Sequence, residues 1–66
     1  MKINGAEKQY PDGITISEML KREGFQEEQV AVERNEEIVA KDDYGTMMLL
    51  ESDVVEVVTF MGGGAR

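Results

Sequence analysis

Residues 54–66 read Val-Val-Glu-Val-Val-Thr-Phe-Met-Gly-Gly-Gly-Ala-Arg, a strand-like apolar run that passes directly into three glycines. The run from 54 to 60 is apolar at nearly every position, which is typical of a strand in the centre of a sheet. Glycine has no Cβ, so residues 62–66 are predicted to form a flexible tail. Such a tail is thin enough to carry a carboxylate into the narrow active site of another protein. A frayed terminus without function is the competing interpretation.

The N-terminal segment predicts a β-hairpin. Residues 1–4 alternate between apolar and polar side chains, as a half-buried strand does. Asn4-Gly5 is a strong hairpin signal, because both residues tolerate the positive φ angles of a type I′ turn. The polar residues 7–10 are predicted to form the returning strand at a sheet edge. Pro11-Asp12-Gly13 has the composition of a turn that ends this strand.

A helix is predicted over about residues 16–23, and both of its ends carry recognisable signals. Thr15 and Glu18 have the spacing of a capping box, in which Thr15 is the N-cap. Gly24 suits the left-handed position that follows a helix. The apolar side chains that follow helical spacing, and should therefore face the core, are Ile16, Met19 and Leu20.

Two further strands are predicted between the helix and residue 54. Residues 30–35 should form a strand with Val30 and Val32 turned inward, and residues 38–40 a brief strand after a turn at 35–37. Residues 41–45 are predicted to be a loop that includes at most one helical turn.

The order of these elements predicts an α+β roll, in which a mixed sheet of four to five strands packs on one main helix. We expect a single domain over residues 1–61, followed by the tail at 62–66. Residues 46–50 are ambiguous between a short strand and a partly exposed apolar patch, with core on one face and contact surface on the other.

The composition argues against an independent enzyme. The chain has 66 residues, which leaves room for one small core but not for a deep catalytic cavity as well. It has no cysteine and no histidine, so thiolate chemistry and the commonest general base and metal ligand are absent. No apolar run approaches the roughly 20 residues of a membrane helix, and no signal peptide is evident, so a cytoplasmic location is expected.

The formal net charge of −7 constrains the partners. Such a field repels nucleic-acid phosphates and anionic membrane surfaces, and neither is expected to bind. It attracts basic protein surfaces and speeds the encounter with them. An acidic surface that serves solubility alone is the competing interpretation.

Three parts of the chain resemble the ThiS family, the sulfur carrier proteins of thiamine biosynthesis, and the resemblance covers residues 1–64. The first is Met1-Lys2-Ile3-Asn4-Gly5, with an opening strand and an Asn-Gly turn. The second is the stretch 32–39 together with Tyr44. The third is the last strand at 52–58 and the ending Phe60-Met61-Gly62-Gly63-Gly64. This family has the ubiquitin-like β-grasp fold, which agrees with the predicted roll.

The resemblance implies a carrier cycle in which other proteins perform the catalysis. An E1-like adenylyltransferase of the ThiF type would use ATP to adenylate the terminal glycine. Sulfur from a cysteine desulfurase pathway would then replace the AMP and leave a thiocarboxylate. A thiazole synthase of the ThiG type would take that sulfur for the thiazole ring. The chain itself would be no enzyme and would bind no cofactor.

The resemblance implies Gly64 as the activated residue and Gly63 as its neighbour, with Gly63 as the weaker choice for the terminus. Gly62 and Met61 are expected to contact the partner. Phe60 is a further candidate for that contact, although its place in the strand favours a core position.

Other acidic residues near the last strand are candidates for meeting basic partner residues: Glu51, Asp53 and Glu56. An ordinary solvated face is an equally good interpretation of these three. The sequence departs from the family pattern at Ala65-Arg66, because a functional carrier ends in glycine. Either the two residues are trimmed, or the chain is a precursor, or they are not native to the protein.

Three alternatives remain open at this point. A molybdopterin-synthase small subunit shares the fold and the tail chemistry, but those chains tend to be longer and to carry prolines before the terminal glycines, whereas the only proline here is Pro11. A protein modifier conjugated to lysines would need the same adenylated glycine. A non-enzymatic acidic binding module would not need the glycines at all.

Overall fold

A computed structural model describes residues 1–60, which form one mixed sheet with an α-helix on one of its faces. The helix is α1 (Ile16–Glu23), and the five strands are β1 (Lys2–Ile3), β2 (Ala6–Glu7), β3 (Val30–Arg34), β4 (Glu37–Ile38) and β5 (Val54–Thr59). Two 3-10 turns, Glu27–Gln29 and Lys41–Asp43, lie in the connections. The predicted α+β architecture, with a mixed sheet on one main helix, is confirmed.

Strand β5 lies in the centre of the sheet, as predicted. The strand order is β2-β1-β5-β3-β4, in which β1 runs parallel to β5 and the other neighbours are antiparallel. The polar strand β2 is at an edge, which was also expected. Since β5 is the last strand within residues 1–60, the chain continues toward residue 61 from the middle of the sheet.

Two asparagines in the hairpin turns bind β5 from both sides. Asn4 has a φ of 52° and is followed by Gly5 at 84°, as the type I′ turn requires. The Asn4 side chain accepts a hydrogen bond from Val57 N (2.7 Å) and donates one to Val57 O (3.2 Å). On the other side, Asn35 also has a φ of 52°, and its Oδ1 accepts from Val54 N at 3.0 Å. Each asparagine therefore forms a turn and extends the pairing of β5.

The helix has the predicted ends and the predicted buried face. Thr15 Oγ1 accepts a hydrogen bond from Glu18 N at 3.1 Å, and Gly24 adopts a left-handed φ of 86° after the last turn. The three predicted helix residues are buried, and they share one core with the inward side chains of the sheet: Ile3, Val30, Val32, Val55 and Val57. Helix α1 therefore covers the face of β5 that carries Val55 and Val57.

Both short strands begin one residue earlier than predicted. The returning strand spans Ala6–Glu7 instead of residues 7–10, and β4 spans Glu37–Ile38 instead of residues 38–40, so both also end earlier than predicted. The reason is that each turn has only two residues, so pairing resumes at once, with Ile3 opposite Ala6 and Arg34 opposite Glu37. The expected three-residue turn at 35–37 was one residue too long.

Candidate functional site

The predicted site lies at the end of β5, and the structure describes only its first residue. Phe60 is within the described residues, whereas four site residues lie outside them: Met61, Gly62, Gly63 and Gly64. The boundary predicted between a domain at 1–61 and a tail at 62–66 also lies outside them. Of the predicted site, the structure therefore describes the surface at the end of β5, after which Met61 follows.

Phe60 is exposed, and the interpretation of Phe60 as a core residue is wrong. Its side chain keeps 44% of its accessible surface. Phe60 follows the last residue of β5, where the alternation of buried and exposed side chains has ended, since Val58 and Thr59 are both exposed. The backbone N–H of Phe60 donates to Gln29 O at 2.9 Å, so the chain is still held to the end of β3 at this point.

The ammonium group of Lys41 lies close to two aromatic rings, that of Phe60 and that of the core residue Tyr44. Lys41 Nζ lies 5.5 Å from the centre of the Phe60 ring and 5.8 Å from that of the Tyr44 ring, within the range of cation–π attraction. The same atom donates to Glu27 O at 2.8 Å. This contact fixes the side chain at the start of the C-terminal segment. Sequence reasoning missed Lys41, because no motif places residue 41 beside residue 60.

Tyr44, the second aromatic ring beside Lys41, is held in place by the core. It is buried, and its hydroxyl oxygen accepts a hydrogen bond from the N–H of Val32 at 3.1 Å. Burial raises the pKa of Tyr44, since an apolar surrounding disfavours the charged phenolate, and the hydrogen bond from Val32 opposes this only in part. Tyr44 therefore stays neutral at physiological pH.

The face of the sheet opposite the helix, which we call the outer face, exposes several apolar side chains. Ile38, Val54 and Val58 keep 78%, 45% and 56% of their accessible surface. The largely apolar character of β5 predicted its central position correctly, but it does not reflect burial on both faces. Among residues 1–60, one face is packed against α1 and the other remains uncovered.

Asp53 is not the surface acid that the sequence suggested. It is 4% exposed, and its carboxylate accepts from Leu50 N (2.8 Å), Arg34 Nε (2.9 Å) and Asn35 Nδ2 (3.1 Å). Burial alone would raise the pKa of Asp53, but these hydrogen bonds and the Arg34 charge outweigh it and hold the pKa below its ordinary value. Asp53 therefore anchors the turn that leads into β5, whereas Glu51 and Glu56 are exposed.

The segment 46–50 combines core and surface, as expected. Leu49 is fully buried and Met47 is half-buried, whereas Met48 and Leu50 are exposed. Backbone hydrogen bonds from Ile16 N to Met47 O (3.2 Å) and from Leu49 N to Ile14 O (2.8 Å) attach the segment to the start of the helix. Residues 46–50 are therefore an irregular segment, and not a strand, in which alternate side chains are buried.

The described residues offer little that could perform catalysis. No group of three or more Asp or Glu side chains in residues 1–60 is arranged to hold a metal ion. A surface depression of about 390 Å³ beside α1 is bordered by Ser17 and Glu27, and the Ser17 hydroxyl donates to Glu27 Oε1 at 2.9 Å, so it is already engaged. Within the same residues, no helix combines the length and apolar character needed to cross a bilayer.

Comparison with known proteins identifies close relatives of this chain. The model of the ThiS family matches residues 1–64. The sulfur carrier protein ThiS of Bacillus subtilis is 37% identical over 65 residues, which are 97% of this chain and 98% of that protein. A thiazole synthase of Magnetococcus marinus is 44% identical over 62 residues. The chain spans only 19% of the length of that synthase, and likewise 19% of one from Paramagnetospirillum magneticum.

Solved structures show the same fold. A crystal structure of the thiamine biosynthesis protein ThiS from Geobacter metallireducens superposes with a TM-score of 0.79 at 29% identity and covers 96% of both chains. A solution structure of a thiamine biosynthesis protein from the same organism gives a TM-score of 0.75 at 28% identity, and it covers 98% of this chain and 87% of that one.

Proposed function

Because the chain belongs to the ThiS family, we propose that it is a sulfur carrier for thiamine biosynthesis, whose C-terminal glycine carries the sulfur as a thiocarboxylate. The observation that carries this proposal is the extent of the family match, which runs from residue 1 and ends at Gly64. The match includes all three glycines and leaves out Ala65 and Arg66. It therefore supports Gly64 as the residue that reacts.

The chemistry explains why such a protein needs partners. A carboxylate is a poor electrophile, so the Gly64 carboxyl must first be activated as an acyl adenylate, with ATP as the source of AMP. A persulfide sulfur then attacks the carbonyl, AMP leaves, and a thiol reductant cleaves the S–S bond of the resulting acyl disulfide, which leaves the thiocarboxylate on Gly64 and a disulfide on the thiol side. The carrier has no cysteine that could attack the activated carbonyl from within its own chain. Catalysis belongs to the partners, and the carrier has the part of a protein co-substrate.

The proposed partners are an E1-like adenylyltransferase of the ThiF type, a cysteine desulfurase pathway and a thiazole synthase of the ThiG type. The last is supported by the two relatives that are named thiazole synthase, since a segment like this chain is joined there to a longer polypeptide. Physical joining of donor and acceptor would keep the sulfur from diffusing away. We place the reaction in the cytoplasm, where these soluble partners would act.

The same two relatives favour a second arrangement, in which residues 1–66 are one domain of a longer thiazole synthase chain. In that arrangement a cut after Gly64 would precede activation, as it would if Ala65 and Arg66 are trimmed from the separate protein. Both arrangements predict the same reactive species, a chain that ends at Gly64.

The test is a reconstituted reaction followed by intact mass. A chain ending at Gly64 is incubated with the E1-like enzyme of the same genome, ATP, a persulfide source and a thiol reductant that cleaves the acyl disulfide. We expect a mass gain equal to one sulfur in place of one oxygen, located in the C-terminal fragment. The chain ending at Arg66 should not react, because its carboxyl lies two residues too far along. Gly64→Val should also fail, because a β-branched side chain restricts the extended approach that glycine allows.

Three outcomes would contradict the proposal in different ways. If the Arg66 form reacts as readily as the Gly64 form, trimming is unnecessary. If the carrier accumulates on lysines of other proteins instead of gaining sulfur, it is a modifier. If neither form is adenylated, the carrier function is wrong, and an acidic binding module becomes the better description.

A further inference from the structure

Two glutamates face each other at the centre of the outer face. In the register of β3 and β5, Glu33 is directly opposite Glu56. Side chains in such positions have Cβ atoms about 4.5–5.5 Å apart, and like charges there destabilise the sheet. Among residues 1–60, neither carboxylate has a cationic group within 4.0 Å. The folded chain therefore keeps an unfavourable pair of negative charges in the middle of its sheet.

Apolar side chains surround this pair. On β5, Val54 and Val58 lie two residues on either side of Glu56. Ile38 is opposite Glu33 on the edge strand β4, and it is 78% exposed. The next row of the outer face contains Lys2 opposite Glu7, and Glu7 Oε2 lies 3.4 Å from the N-terminal ammonium group of Met1. The net negative charge of the central row is thus concentrated between Glu33 and Glu56.

The short distance between this surface and the C-terminus indicates which partner protein covers the surface. Phe60 follows β5 directly, and Gly64 is four residues further along. Four residues span at most about 14 Å even when fully extended. An enzyme that encloses the Gly64 carboxyl must therefore approach close to the end of β5, where Val58 and Phe60 are exposed.

We propose that the Glu33–Glu56 pair, with its apolar border, is the docking surface for the carboxyl-activating enzyme and that this enzyme inserts an arginine or lysine between the two carboxylates. The inference rests on the proposed carrier function. A cation placed there would turn a repulsive pair into a bridged one, while the apolar border would exclude water and strengthen the attraction. The repulsion in the free chain is then the basis of selectivity for a partner that supplies the cation.

A second copy of the chain does not fit this surface. Two copies meeting face to face would bring four glutamates together, and each chain carries a net charge of −7. Like-charge juxtaposition of this kind opposes association. The surface is therefore suited to a basic partner and unsuited to itself.

The experiment measures activation and stability on the same variants, using the chain that ends at Gly64. Glu33→Gln and Glu56→Gln should each raise the KM of the E1-like enzyme for the carrier roughly fivefold to tenfold, with kcat unchanged, because each removes a charged contact from docking but not from chemistry. The same substitutions should raise the urea midpoint slightly, because the repulsion is relieved. A purely structural role would instead lower the midpoint.

Matched controls separate the surface from net charge and from general apolarity. Glu18→Gln makes the same change in net charge on α1, on the opposite side of the sheet, and should leave KM within about twofold. Ile38→Ala should raise KM, whereas Met48→Ala, at another exposed apolar position outside the sheet, should not.

The outcomes are distinct. If the wild-type chain is activated and both glutamate variants keep its KM, the docking inference is wrong and the carrier function stands. If Glu18→Gln raises KM as much as Glu56→Gln, net charge alone is responsible and the local pairing is wrong. Self-association of the wild type in sedimentation, abolished by Ile38→Ala, would assign the surface to a second copy instead. If the wild type is not activated at all, the carrier function and this inference fail together.

Discussion

Strand β5 carries the same residue type on its two faces with opposite results. Val55 and Val57 are 0% and 6% exposed against α1, whereas Val54 and Val58 are 45% and 56% exposed on the outer face. The inner pair stabilises the fold, because apolar surface removed from water contributes about 25 cal/mol per Å². The outer pair contributes much less to the isolated chain and is available to a partner. Identical side chains at adjacent positions therefore differ in their contribution to folding, because they lie on opposite faces of the sheet.

The acidic residues are likewise divided between a buried position that stabilises the fold and positions on the outer face. Asp53 is buried in the turn before β5 with three hydrogen bonds, one of them from the charged Arg34, whereas Glu33 and Glu56 face each other on the outer face. A buried charge is tolerated only when it is paired and hydrogen-bonded. The outer pair, with Glu33 half-buried and Glu56 exposed, can remain without a counter-charge because water screens it.

The largest expected effect is the loss of the buried acid. Asp53→Ala should lower the free energy of unfolding by about 3 kcal/mol, because it leaves Leu50 N, Arg34 and Asn35 without their acceptor. Urea denaturation measures this directly. Glu56→Ala is the control from the outer face and should change stability by less than about 0.5 kcal/mol. Equal losses in the free energy of unfolding for the two variants would contradict this difference between the buried acid and the outer acid.

The next largest difference in stability is expected between alanine variants of an inner and an outer valine of β5. Val55→Ala removes two methyl groups from the core and should cost about 2 kcal/mol, from roughly 0.8 kcal/mol for each buried CH₂-sized group plus a cavity contribution. Val58→Ala removes the same atoms from the outer face and should cost less than about 0.5 kcal/mol. The comparison fails if the two variants unfold at the same urea concentration.

This division also shows what could be predicted from the sequence. Helix α1 was predicted with its bounds because Thr15, Glu18 and Gly24 are local signals that act within a few residues. The central position of β5 followed from its run of apolar residues. The sequence did not predict which face of β5 is covered, because Val55 and Val54 are chemically identical and only the packing of α1 distinguishes them.

Long-range contacts account for the other differences. Asp53 was assigned to the surface because its partners, Arg34 and Asn35, are 19 and 18 residues away in the chain. The pairing of Glu33 with Glu56 depends on the register of two distant strands, and the position of Lys41 beside Phe60 depends on tertiary packing. The role of Gly64 remains a prediction, since it lies outside the described residues.

A buried hydroxyl should matter somewhat less than a buried acid. Tyr44→Phe leaves the N–H of Val32 without its acceptor in the core, so we expect a loss of about 1–2 kcal/mol in the free energy of unfolding. Tyr10→Phe is the matched control, because the Tyr10 hydroxyl donates to Glu23 in a half-buried position. Thermal or urea unfolding should rank Tyr44→Phe below Tyr10→Phe. The reverse order would show that the hydrogen bond from Val32 is dispensable.

A smaller effect is expected from pH. The pKa of Asp53 is lowered in the folded chain, so the unfolded chain binds a proton more readily. The stabilisation by Asp53 is therefore fully present above its unfolded pKa of about 3.9 and is lost as the pH falls through the lower folded value. Wild-type stability should decrease over this acidic range more steeply than that of Asp53→Ala. Parallel curves for the two proteins would assign the acid sensitivity to other carboxylates.

The smallest expected effect on stability comes from removing the residues on which the function depends. Every residue of the core cluster precedes residue 58, so deletion of residues 62–66 should change the free energy of unfolding by less than about 0.5 kcal/mol. The same deletion should abolish thiocarboxylation completely, because it removes Gly64. Urea denaturation and intact mass after the reconstituted reaction measure the two effects on one sample. If the deletion lowered the urea midpoint as much as Val55→Ala does, the C-terminal residues would belong to the packed structure. Folding and reactivity would then not be separable along this chain, and a carrier whose terminus must enter a partner would be a poor description of it.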